Sequence, residues 1–195
     1  MRKTRLTLAI ALIMSISFGA FAGGGYPIDT EKSELKWLSK KVTGQHDGAI
    51  KIKNGTLDFK GGQLKGGEFV IDMSTIKVLD ISEDSPMNKK LVGHLNSPDF
   101  FDVEKFTEAS LKITSVDGSG NSYKVNADLT IKGKTNPVTF DANVNKKGKK
   151  VSATAEIVFD RSKYDIRYGS NSFYDNLGDK AIYDDVQITV SLVTK

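Results

Sequence analysis

The chain has 195 residues, 28 Lys and Arg against 24 Asp and Glu, and no cysteine. That length suits one domain with a sizeable core. Without cysteine there is no disulfide framework, no thiol nucleophile and no thiolate metal site.

The first residues read as an export address. Arg2, Lys3 and Arg5 form a basic start, and Leu6 to Phe18 is an apolar run broken only by Thr7, Ser15 and Ser17. Ala20-Phe21-Ala22 supplies a small-x-small cleavage site. The run is shorter than the ~20 residues that a membrane span needs, and no cysteine follows to carry a lipid anchor. The expectation is a signal peptide over 1–22, a mature domain over 23–195, a periplasmic location and no stable membrane span. Taking the three basic residues of the signal from 28 leaves 25 against 24 acidic ones. Such a near-neutral domain is not expected to bind nucleic acid.

The mature sequence then alternates with period two. Tyr123, Val125, Ala127, Leu129 and Ile131 share one face, and Lys124, Asn126, Asp128, Thr130 and Lys132 the other. Val138 to Val144, Val151 to Phe159 and Val186 to Leu192 repeat the pattern, and Ala109, Leu111 and Ile113 form a shorter run. Each predicts a strand with one wet and one buried face. Asn54-Gly55 between two apolar runs predicts a hairpin turn. Asp117 to Asn121, Gly133 to Pro137 and Lys146 to Lys150 predict further short connections. Gly61-Gly62 and Gly66-Gly67 read as turns or bulges.

Two segments break the pattern. Ser85-Pro86 followed by Met87 to Leu95 predicts one short helix, with Pro near its first turn. His94 to Asp102 then forms a non-strand segment with Phe100 and Phe101 side by side after Ser97-Pro98. Arg161 to Lys180, rich in Tyr, Asp, Gly and Asn, predicts a long late loop.

Eight or nine strands joined mostly by hairpins point to an all-β, antiparallel, up-and-down barrel, which removes both sheet edges. A two-sheet sandwich is the alternative. Ala109, Ala127, Ala142, Ala153 and Ala155 fall on the inward face, which favours an apolar space over a filled interior.

Catalytic motifs are scarce. There is no Gly-x-Ser-x-Gly elbow and no phosphate-binding glycine loop. His46 and His94 lack tight metal-ligand spacing, and the late-loop aspartates lack a calcium-loop pattern. No metal and no cofactor is expected. The strongest constellation is apolar: Trp37, Phe69, Ile71, Met73, Phe100, Phe101, Phe106, Leu129, Ile131, Phe140 and Phe159 are candidates to surround a long apolar ligand. Arg161, Lys163 and Arg167 are candidates for a phosphate or other polar head.

Several ordered motifs resemble the YceI-like family of exported lipid-binding proteins. Tyr26-Pro27-Ile28-Asp29 with Ser33, Leu35 and Trp37 is similar to the family's opening strand. Gly44-Gln45-His46-Asp47-Gly48, with Gly55 and Leu57, is similar to the next hairpin, and Phe69 to Ile76 to the strand before the helix. His94-Leu95, Ser97, Asp99, Phe100, Phe101 and Asp102 match the most specific motif. Ala127 to Gly133, Thr135 and Val138 match the late hairpin. The chain departs from the common pattern at Lys32 and Lys41, where many members carry histidine, and in its longer Tyr168 to Tyr183 loop.

The resemblance implies a lipocalin-like antiparallel barrel with a central cavity for a polyisoprenoid or similar long-chain lipid. It implies a non-enzymatic binding protein used for transport, storage or sequestration. Two alternatives stay open: a hydrolase or metal-dependent enzyme using the same cavity, and a filled-barrel stress protein that binds a protein partner. A homodimer is also left open.

Overall fold

In the computed structural model, residues 25–195 are described. The expected signal peptide lies outside them. Among these residues nine strands and one α-helix follow in order, with two short 3-10 turns, Arg161–Tyr164 and Gly178–Lys180, in the late loop. The strands and the helix are β1 (Tyr26–Pro27), β2 (Glu34–Lys41), β3 (Gly44–Lys60), β4 (Gln63–Val78), α1 (Pro86–Asn96), β5 (Glu108–Ser119), β6 (Ser122–Ile131), β7 (Lys134–Lys147), β8 (Lys150–Asp160) and β9 (Ile182–Val193).

From β2 to β9 every strand pairs antiparallel with the next, and β9 returns to pair with β2. The result is a closed eight-stranded up-and-down barrel, with β1 as an additional strand, as the alternation predicts. Closure leaves no free sheet edge around the ring. Strand β1 continues the line of β2: Tyr26 pairs with Leu57 of β3, and Ile28 bridges to Thr194. Two ladders are partial. Pairing of β4 with β5 covers only Glu68–Asp72 against Lys112–Glu108. Pairing of β7 with β8 stops at Ala142 and Ala155, so Lys134–Asp141 and Glu156–Asp160 run unpaired to each other.

The two barrel ends differ. One end carries the turns β3–β4, β5–β6 and β7–β8. At the first of these, Gly61 and Gly62 have φ of 61° and 80°, the pair of positive values that a tight two-residue hairpin needs. The other end, here the lid end, carries the β2–β3 and β6–β7 turns, α1 with the segment after it, and the late loop between β8 and β9.

The Asn54-Gly55 hairpin expected from sequence does not form. Both residues lie inside β3, beside a register shift between Ile52 and Asn54. Gly55 faces Phe69 across the ladder, and a Cβ there would sit 2.6 Å from the Phe69 ring. The glycine serves a close approach rather than a turn. Pro137, expected in a connection, lies within β7. It sits where β7 has no ladder to β8, a place where a residue without an N–H is tolerated.

Helix α1 starts where expected. Ser85 caps it, its Oγ accepting from the Met87 N–H at 3.2 Å, with Pro86 at the first helical position.

Candidate ligand cavity

The inward faces enclose a cavity of about 200 Å³. Only Ser39, Thr154 and Arg161 carry a polar side chain among its thirty-four lining residues. The space has a local cause. On β7 and β8 the inward pairs are Ala142 with Ala155 and Val144 with Ala153, and Ala109 of β5 lines the same space. Small residues on this wall leave a gap that large ones opposite do not fill.

Trp37, on β2, also lines the space. It pairs with Gly48 across β2 and β3, and its Nε1–H donates to the Lys77 carbonyl at 3.1 Å. That bond satisfies the one polar group of an otherwise apolar side chain.

At the lid end the wall is not sheet. Leu95 from α1, Phe100 and Phe101 from the following segment, and Arg161 and Ile166 from the late loop complete it. Neighbours in an extended segment point to opposite sides, yet both Phe100 and Phe101 reach the cavity. The segment is folded into tight turns rather than extended. Phe100 N–H donates to Ser97 O, Phe101 N–H to Leu95 O and Asp102 N–H to Ser97 O, at 3.0, 3.1 and 2.9 Å. Asp102 adopts φ of 50°. The two rings sit 6.4 Å apart at 48°.

His94, in the last turn of α1, packs edge-on against Phe100 and Tyr168, with centroid distances of 5.0 and 4.4 Å. It ties the helix to the late loop. His46 Nδ1 meets Asp80 at 2.8 Å. Among the described residues no three His, Cys, Asp or Glu side chains gather as a metal group.

The late loop is built around Arg161, which is 2 % exposed. Its Nε donates to Tyr183 O, NH1 to Ile166 O and Tyr168 O, and NH2 to Ile182 O, at 2.8 to 3.2 Å. Asp184 lies 3.2 Å from NH2, and the Phe100 ring 5.9 Å from the guanidinium carbon. Burial pulls the guanidinium below its usual pKa, and the Asp184 and Asp160 carboxylates oppose that. Beside it, Tyr164 is 1 % exposed and stands edge-on to Phe159 at 5.6 Å. Its hydroxyl has no hydrogen-bond partner.

The structure brings most of the expected cavity residues together. Trp37, Phe69, Ile71, Met73, Phe100, Phe101, Leu129, Ile131, Phe140 and Phe159 all line the space. Phe106 does not. Its ring covers the β6–β7 turn, 3.0 Å from where a Gly133 Cβ would stand. Arg161 differs from the expectation in another way: four of its five N–H donors go to the chain's own carbonyls, and the fifth is on the nitrogen that faces Asp184. Arg167 lies outside the cavity, exposed, paired with Asp165 and over the Phe173 ring. Lys163 contributes its carbonyl, which accepts from Asn136 Nδ2. Leu95 and Ile166 were not among the expected lining residues. Ile166, an isolated apolar residue in a polar loop and 0 % exposed, was the available signal.

No helix among the described residues is long and apolar enough to cross a membrane. Comparison with known proteins agrees with the barrel. The YceI-like domain model matches residues 26–194. A UPF0312 protein of Vibrio cholerae is 32% identical over 149 residues, covering 73% of this chain and 74% of that one. A UPF0312 protein of Pseudomonas fluorescens is 31% identical over 153 residues, with 76% of each covered. Among solved structures, Burkholderia cenocepacia BcnA has a TM-score of 0.69 at 23% identity, covering 86% of this chain and 99% of that one. A polyisoprenoid binding domain from Saccharophagus degradans has a TM-score of 0.65 at 16% identity, covering 87% and 97%. With its closed barrel and a family model matched from the first strand to the last, the chain belongs to the YceI-like family.

Proposed function

We propose that this protein is an exported, non-enzymatic binding protein that holds a polyisoprenoid or similar long-chain lipid in the barrel. The carrying observation is the cavity itself, set inside the barrel, walled by aliphatic and aromatic side chains, and lined by almost no polar group. The family supports the reading, since the Saccharophagus degradans neighbour is described as a polyisoprenoid binding domain. The basic start, apolar run and cleavage site of residues 1–22 support export to the periplasm.

Affinity here comes from apolar burial rather than a polar anchor. A buried methylene contributes about 0.8 kcal/mol, so each further carbon taken into the cavity tightens binding about fourfold. Transport, storage and sequestration all follow from such holding.

The test is extraction. Protein purified from a bacterial periplasm is extracted with organic solvent and analysed by mass spectrometry. A stoichiometric long-chain lipid is the expected result, and Phe101→Ala should lose most of it while unfolding at nearly the wild-type denaturant midpoint. An empty cavity that also takes up no prenyl or fatty-acyl probe would sink the proposal. An activity abolished by chelator would point instead to an enzyme.

A further inference from the structure

Large apolar side chains are exposed at one end of the barrel only. Among the described residues, Val42 sits in the β2–β3 turn, Leu79 just past β4 and Met87 in the first turn of α1. Tyr168, Phe173 and Tyr174 stand on the late loop, and Tyr183 is the second residue of β9. Val158 projects from the half of β8 that approaches the same end. All of these are at least 40 % exposed, Met87 70 %. Among the described residues the hairpin tips of the opposite end are polar, such as Lys60-Gly61-Gly62-Gln63 and Lys147-Gly148-Lys149-Lys150.

The apolar end is also the loosened end. Its wall is made of α1, the Phe100 segment and the late loop rather than ladder. The unpaired stretch between β7 and β8 opens toward it. Segments held by loops and short helices open at lower cost than central strands.

The arrangement decides the kind of partner. The apolar side chains are spread over several segments, only Phe173 and Tyr174 being neighbours in the chain. Exposed charges of both signs lie on the same segments, Lys89 and Lys90 with Glu83 and Asp84, Lys180 with Asp179 and Asp175. Protein interfaces instead concentrate their energy in a contiguous packed centre. Separate Tyr, Phe, Leu and Met side chains among mixed charges suit the headgroup layer of a bilayer, which fills between them. The mixture of signs gives no bias toward anionic lipid. The patch is also continuous with the cavity. Tyr168, 47 % exposed, meets His94 edge-on at 4.4 Å and Phe100, a lining residue, at 5.6 Å.

We propose that the lid end docks on a neutral lipid bilayer, with Leu79, Met87, Phe173 and Tyr174 entering the headgroup layer, so that the cavity exchanges its chain during contact. The proposal rests on the reading of the cavity as a lipid holder. It adds where and against what the exchange takes place.

The experiment follows transfer of an anthroyloxy-labelled fatty-acyl probe from the purified protein to phosphatidylcholine vesicles that contain a quencher. Contact exchange gives a transfer rate proportional to vesicle concentration. The variant Leu79→Ser/Met87→Ser/Phe173→Ser/Tyr174→Ser should transfer at least tenfold more slowly, with probe affinity within twofold of wild type. None of the four residues lines the cavity. A rate independent of vesicle concentration, or an unchanged rate in the variant, overturns the proposal. If the wild type takes up no probe, the lipid-holding reading fails, and docking is then judged by flotation with the same vesicles. Flotation of the wild type but not the variant supports docking, and no flotation overturns it. A wild-type dimer that the variant loses, without flotation, assigns the patch to a second copy and also overturns it.

Discussion

The indole of Trp37 lies over Gly48 of the neighbouring strand, and the fit leaves no room for a methyl group. A Cβ on Gly48 would stand 2.5 Å from the indole Cε2 and Cζ2 and 1.8 Å from the Lys77 carbonyl oxygen. That carbonyl is the acceptor for the indole N–H, so neither neighbour can move without breaking the bond. Gly48→Ala should therefore cost about 3 kcal/mol. Urea denaturation followed by the fluorescence of Trp37, the single tryptophan, measures it directly.

Arg161 and Arg167, the two arginines of the late loop, should behave in opposite ways. Arg161→Met keeps much of the volume but leaves the carbonyls of Ile166, Tyr168, Ile182 and Tyr183 without their donor. A loss of about 4 kcal/mol is expected, since each abandoned buried group costs about 1–3 kcal/mol and some will find water. Arg167→Ala removes an exposed pair with Asp165, and its unfolding midpoint should stay within about 0.5 kcal/mol of wild type. Probe affinity of Arg167→Ala should be unchanged.

Tyr164 links stability to alkaline pH. Burial, helped by the Asp160 carboxylate, raises its phenol from 10 to about 12. Below pH 10 the phenol is protonated in both folded and unfolded chains, and stability does not depend on it. Between pH 10 and 12 the unfolded chain ionises while the folded one holds its proton, so stability falls, by on the order of 2 kcal/mol. Tyr164→Phe should flatten that decline. It should also add about 1 kcal/mol at neutral pH, because it removes a buried hydroxyl with no partner. Denaturation curves of both proteins at pH 7, 10 and 11.5 check the two effects.

Particular residues show what was legible beforehand. Ser85-Pro86 announced α1 because capping is local chemistry. Val125, Leu129 and Ile157 announced the barrel because alternation along a strand records which face is buried. Asn54-Gly55 misled because a turn dipeptide says nothing about a ring across the ladder, and here Phe69 sets the need for glycine. Arg161 misled for a related reason. A basic residue in a loop carries no sign that the loop's own carbonyls will converge on it. The inward turn of both Phe100 and Phe101 depends on hydrogen bonds closed by Ser97 and Asp102, which no periodicity encodes. The partial β7–β8 ladder left one trace, Pro137, which reads equally well as a turn until its strand partners are known.

The most direct measurement uses the tryptophan in the cavity wall. Delipidated protein is titrated with a long alkyl or prenyl chain carrying bromine, a short-range quencher, and Trp37 fluorescence is followed. Saturable quenching at one chain per protein, lost when an unbrominated chain competes, is the expected result. Fluorescence that stays constant across the titration, with the chain remaining in the aqueous or detergent phase, would contradict an apolar chain held inside this barrel.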